Sequence, residues 1–191
     1  MSETIRAAKI AAIAAICGAL IGAGLTAAPT FFTIRAEDSR ATAEFIRTQQ
    51  QSAYAQFSVD EASLRDAMYK YFTSAYPRYG ADSEHRMTPG GPPVMSDEVA
   101  TLRNDAKNKA LTLFKADSVV VLIGSQKTAR IADQIYYQHN QARHALNRAI
   151  TKGSDADFAT AADLFQSAQE ATVDFIESAR ADFGVEPGVR R

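Results

Sequence analysis

Few residues in this chain offer chemistry: His85, His139 and His144, the acid Asp117, a Gly124-Ser-Gln-Lys127 turn, and tyrosines scattered from Tyr69 to Tyr79. His139 and His144 stand five positions apart, off the i,i+4 spacing that sets two ligands on one helix face. Neither the H-E-x-x-H of zinc hydrolases nor the E-x-x-H of ferritin-like carboxylate bundles occurs. The turn lacks the leading glycine and the spacing of a phosphate loop. His139 falls between the apolar residues Ile135 and Ala142, so a hydrogen-bonded core histidine is expected. Asp117 borders another apolar stripe, where a partly buried, paired or water-bonded carboxylate is the default. With Gly124 and Gln126 nearby, Asp117 and His139 are the candidates for a small polar pocket. No catalytic residue, cofactor site or metal-ligand set emerges, and the chain is expected not to be an enzyme.

The tyrosines are the other candidate. Tyr69, Tyr71, Tyr76 and Tyr79 interleave with Lys70, Arg78 and Arg86. Aromatics among cations can stack on bases or anchor a protein partner. The plainer expectation is that they half-bury the end of a helical bundle and keep their hydroxyls wet. A contact surface, if placed by sequence, falls on Tyr69, Tyr76, Arg78 and Tyr79 beside a Pro/Gly-rich loop.

Composition narrows the partners. The 191 residues carry 21 Lys+Arg against 22 Asp+Glu, a net charge of −1, so no global field recruits nucleic acid. The sole cysteine is Cys17, which leaves the rest of the chain without a disulfide or a thiol nucleophile. The chain has no Trp.

Between Lys9 and Arg35 lies an uncharged run, residues 10–34. As a helix rising ~1.5 Å per residue it is long enough to cross a hydrocarbon core of ~30 Å. A cleaved secretory signal is the competing reading, with Arg6 and Lys9 as its basic start and Thr26-Ala27-Ala28 as its cut site. The run exceeds the usual h-region of ~7–15 residues, and Pro29 follows the cut point, so a retained anchor is favoured. Ala14, Gly18, Gly22 and Thr26 recur every fourth residue and line one face with a G-x-x-x-G step, a surface for close helix–helix packing. A homodimer or a membrane-protein partner is therefore expected, alongside the lipid bilayer itself. Lys and Arg nearly balance across the run, so orientation leans only slightly to a cytoplasmic N-terminus with the remainder outside the cell membrane.

Beyond Arg35 the pattern is helical. Ala36–Tyr76 shows apolar residues at three-to-four spacing through Phe57, Leu64, Met68, Tyr71 and Phe72. Ser58-Val-Asp-Glu61 has the form of a capping box, yet the apolar phase continues through it and one long helix is favoured. Pro77, Gly80 and Pro89-Gly-Gly-Pro-Pro93 interrupt the chain. Ser96 then caps a second helix. Ser118-Val-Val-Val-Leu-Ile-Gly-Ser125 reads either as a buried strand or as the buried end of that helix. With no partner strand to satisfy its backbone, the helix is preferred, with Gly124 as C-cap and Ser125 as N-cap of a third. Ser154 caps a fourth, ended by Gly184 and Pro187.

The expected fold is all-α: a single N-terminal transmembrane helix followed by an antiparallel up-down-up-down four-helix bundle. Its parts are a tail (1–9), the membrane helix (10–34), a helical stalk (35–51), the bundle (52–183, with the loop 77–95), and a flexible tail (184–191). The uncharged Ala/Gly/Leu helix, the Arg/Glu stalk, Thr48-Gln-Gln-Gln-Ser-Ala-Tyr-Ala-Gln-Phe57 and Val-Leu-Ile-Gly-Ser125 together resemble single-pass, membrane-anchored helical proteins of actinobacteria. That resemblance implies a bacterial envelope setting and a helical fold, and it carries over no functional residues. The function expected is a membrane-anchored interaction or accessory subunit. The alternative is a single-pass bundle that senses a small molecule bound between its helices.

Overall fold

The computed structural model describes residues 38–76, 80–81, 87–88, 93 and 96–185. The expected membrane helix at 10–34, with Ala14, Gly18, Gly22 and Thr26, lies outside the described residues. Among those described, no helix is long and apolar enough to cross a membrane. What is described is all-helical apart from one short ladder.

Helix α1 spans Asp38–Ala75 without a break. Ser58 does not open a new helix, because its hydroxyl donates back to the Tyr54 carbonyl at 2.9 Å within the same one. Between α1 and the next helix, β1 (Gly80–Ala81) and β2 (Met87–Thr88) pair antiparallel, Gly80 opposite Thr88. Helix α2 (Asp97–Ile123) starts where the Ser96 hydroxyl accepts from the Val99 N–H. Asp97 and Glu98 in its first turn complement the helix dipole. Helix α3 (Gln126–Lys152) is capped by Ser125, and α4 (Asp155–Asp182) by Ser154.

The two tight turns use different backbone solutions. Gly153 ends α3 in the left-handed region, φ 63°, which glycine enters without steric cost. Gly124 is needed for space instead. A Cβ there would stand 2.6 Å from the Val120 carbonyl oxygen and 3.1 Å from the Tyr54 hydroxyl. The valine-rich segment before it is helical, as expected, but only Val120 is fully buried; Val121 and Leu122 are exposed.

From Phe45 onward the chain forms one unit, the four-helix bundle; residues 1–44 form another, of which only the first turns of α1 are described. Cross-contacts within the bundle fix its directions. Phe57 meets Phe175, and Phe72 meets Phe165 and Phe158, so α1 and α4 run antiparallel. Gln50 of α1 donates to the Ile123 carbonyl at the end of α2. Glu61 faces His139 and Tyr71 bonds Asn147, so α1 and α3 ascend together. The order is up-down-up-down.

The core divides by residue size. Helices α3 and α4 pack on each other along their lengths, and their buried faces carry Ala132, Ala142, Ala145 and Ala149 on one and Ala161, Ala162, Ala168 and Ala171 on the other. Helix α1 contributes bulk instead: Leu64, Met68 and Tyr71 are buried, and the rings of Phe57 and Phe72 pack on Phe175, Phe158 and Phe165 of α4. Each such ring stabilises by about 1.5–3 kcal/mol through apolar area removed from water.

Candidate functional site

Among the described residues, polar groups enter the interior at an end cluster, at a Glu61–His139 pair and at Asp117. At the end of the bundle that holds the α2–α3 turn, Tyr54 of α1 donates from its hydroxyl to Asp182 Oδ2 at 2.6 Å and accepts from the Ser125 N–H at 3.1 Å. Thr128 Oγ1 donates to the same Asp182 oxygen at 2.8 Å. A hydroxyl has one proton, so Thr128 must accept from its other neighbours, Ser125 Oγ at 3.0 Å and Ser178 Oγ at 2.8 Å. Burial and the Asp182 hydrogen bond raise the Tyr54 pKa above its ordinary range. Every proton in this cluster has a destination, and the cluster ties α1, the α2–α3 turn and α4 together. Tyr54 also stacks edge-on to Phe175, 5.7 Å between centroids.

Nearer the middle, Glu61 and His139 are both buried, with His139 Nε2 3.3 Å from Glu61 Oε1. The other Glu61 oxygen lies 3.7 Å from Arg65 Nη1, whose side chain reaches solvent. The His139 ring packs edge-on against Phe165. Its Nδ1 has no partner. A carboxylate on one imidazole nitrogen is the arrangement that orients a general base, but a base needs a substrate proton within reach. His139 has no exposed surface, and its unpartnered Nδ1 is buried with the rest of the ring.

Asp117 of α2 is also buried, and its Oδ1 has no partner. Burial, and secondarily the Asp133 carboxylate of α3, push it up to about 6. The sequence grouped Asp117 with His139 in one pocket. The structure does not join them: His139 pairs with Glu61, Asp117 has Asp133 as its charged neighbour, and no hydrogen bond among the described residues links the two. Among the described residues, no group of three His, Cys, Asp or Glu side chains is placed to hold a metal ion.

The tyrosine surface needs correction. Tyr69 is exposed, but Tyr76 is buried against Phe158 with ring centroids 4.4 Å apart and its hydroxyl unpartnered. It continues the apolar phase of α1 beyond the last turn, and so belongs to the core. Arg78 and Tyr79 lie outside the described residues.

Two features escaped the sequence reading. Glu61 sat in a supposed capping box, although it occupies the core phase set by Phe57, Leu64 and Met68. The second is on α2. Leu111, Phe114, Val121 and Leu122 are each about half exposed, at 53%, 48%, 50% and 49%. At 100° per residue these four fall within an arc of about 100°, turned away from the buried Leu113. Their three-, seven- and eleven-residue separations carried the signal. Comparison with protein-family models, with curated proteins and with solved structures finds no match to this chain.

Proposed function

We propose that this protein is a membrane-tethered helical bundle that acts by docking, as a non-enzymatic interaction or accessory subunit. The observation that carries the reading is the α2 face of Leu111, Phe114, Val121 and Leu122, left in water by a helix whose opposite side already fills the core. Its proposed occupant is a second copy of this chain. Four half-exposed side chains are fewer than a stable interface between free proteins needs, about 800 Å² from each partner. Two bundles held on paired anchors meet at a high effective concentration, where a small patch suffices. The run at 10–34, with its face of Ala14, Gly18, Gly22 and Thr26, supports such pairing from the sequence side. In this reading the chain crosses the membrane once, with the bundle outside.

Mass measurement on the full chain in lipid nanodiscs tests it. The parent is expected at twice the chain mass, and Phe114→Glu together with Leu122→Glu at the single mass. A parent that is monomeric, or a dimer indifferent to both substitutions, contradicts the docking face. The second reading, a ligand-sensing bundle, draws on the buried Asp117 and His139 atoms that lack partners. Under that reading a small polar metabolite raises the melting temperature, and Asp117→Asn or His139→Gln removes the response.

A further inference from the structure

One half of the seam where α2 meets α3 collects positive charge, away from the seam's two acids, Asp117 and Asp133. Phe114 of α2 touches Tyr136 of α3, ring centroids 5.2 Å apart, which sets the register of the two antiparallel helices. Seven residues along each helix from that contact, Lys107 comes level with Arg143; eleven along, Arg103 comes level with Asn147. All these positions share the side of their helix marked by Phe114 or Tyr136. From Phe114 to Arg103 on α2 and from Tyr136 to Asn147 on α3 no Asp or Glu shares this side, the remaining members being Ala110 and Asn140. The acids of the seam, Asp117 and Asp133, lie on the other side of the Phe114–Tyr136 contact.

Arg143 is the centre of the seam. It is partly buried, and burial lowers its pKa from the usual guanidinium range. One Nη donates to Asn140 Oδ1 at 2.9 Å and to His144 Nε2 at 3.0 Å, both neutral acceptors, while its Nε has no partner. To accept that bond His144 must be the neutral imidazole, and burial together with Arg143 and Arg148 holds its pKa below the ordinary value. The neighbouring Arg148 already has its carboxylate, Asp157, at 2.9 Å. Below lies the Tyr71 hydroxyl, bonded to Asn147 Oδ1 at 2.6 Å, with the charges of Arg103 and Arg143 both acting on it. A half-desolvated guanidinium that meets only neutral acceptors, with two more cations on its side of the seam, is a costly arrangement unless an anion answers the charge.

We propose that this seam binds a small phosphate-bearing anion, gripped by Arg143 and Arg103 with Lys107 alongside. Arginine's planar fork matches phosphate oxygens in pairs, and three cations with no acid on their half of the seam suit a dianion better than a single carboxylate. Phe114 sets the register of this seam and also belongs to the docking face, but the groups that bind are Arg143, Arg103 and Lys107, none of which enters the docking test or the second reading.

Calorimetric titration of the full chain in nonionic detergent tests it, with inorganic phosphate as the probe and chloride holding ionic strength constant. Glycerol 3-phosphate in parallel separates a phosphate monoester from the free ion. Saturable one-site binding is expected, weakened at least tenfold by Arg143→Gln and by the exposed Arg103→Gln, and unchanged by Arg130→Gln elsewhere on α3. Neither probe binding above the chloride control, binding that survives both seam substitutions, or succinate binding as tightly as phosphate overturns the proposal.

Discussion

The end clasp and the mid-bundle interior both bury polar groups, and they treat them in opposite ways. Around Thr128, a tyrosine, a threonine, two serines and a carboxylate distribute their protons so that each finds an acceptor. Around Glu61, His139 and Asp117, two atoms at full burial have none. A saturated cluster repays its desolvation and fixes where the α2–α3 turn sits on α1 and α4. An unsaturated one stays a standing cost, tolerated because the surrounding apolar packing exceeds it. The difference teaches where substitution should hurt and where it should help.

The largest effect is expected at the pair. His139→Leu leaves the Glu61 carboxylate buried beside only a solvent-facing arginine, and should cost about 3–5 kcal/mol in chemical denaturation. Adding Glu61→Leu removes the stranded charge and should recover most of that loss. A single substitution that is harmless would mean the pair does not hold the core. Next comes the clasp. Thr128→Val strands both serine hydroxyls and one bond to Asp182, and about 1–3 kcal/mol should be lost. If Thr128→Val costs less than a surface substitution, the clasp is decoration and the comparison fails.

Asp117 should respond with the opposite sign. Its folded-state pKa of about 6 lies above the ordinary 3.8, so the folded chain holds this proton more tightly than the unfolded chain does. Stability therefore declines as pH rises from about 4 to about 6, and the penalty is complete above that window. Asp117→Asn should stabilise the protein at pH 7.5 by on the order of 1–2 kcal/mol and give no such gain at pH 4. Equal gains at both pH values would place the cost elsewhere. The smallest effect is Ser178→Ala, which leaves only a lone pair on Thr128 unanswered and should cost about 0.5–1 kcal/mol in thermal melts.

Much of the fold was legible because local signals agreed. Ser96, Ser125 and Ser154 stood before apolar-periodic runs and became caps, and Ser118–Ser125 was placed in a helix because no second strand could satisfy its backbone. The one long α1 followed from unbroken apolar phase through Ser58. His139 was legible as a paired core histidine, but its partner was not, since pairing between α1 and α3 depends on how two helices rotate in the bundle. Tyr76 misled for a similar reason: a tyrosine near a loop looks exposed until the phase of the preceding helix is carried one residue past its end. The α2 face was written in the spacing of Leu111, Phe114, Val121 and Leu122. It went unread because the same helix carries a second, interleaved apolar stripe that fills the core.

Docking through that face is the central claim, and proximity between copies in intact cells tests it most directly. In full-length protein with Cys17→Ser, a cysteine at Leu122 should be joined to its counterpart in a second copy by a short bismaleimide linker. One placed at the exposed Asp163 of α4 should remain unlinked. No linked pair from Leu122, or equal linking from both positions, would contradict the account.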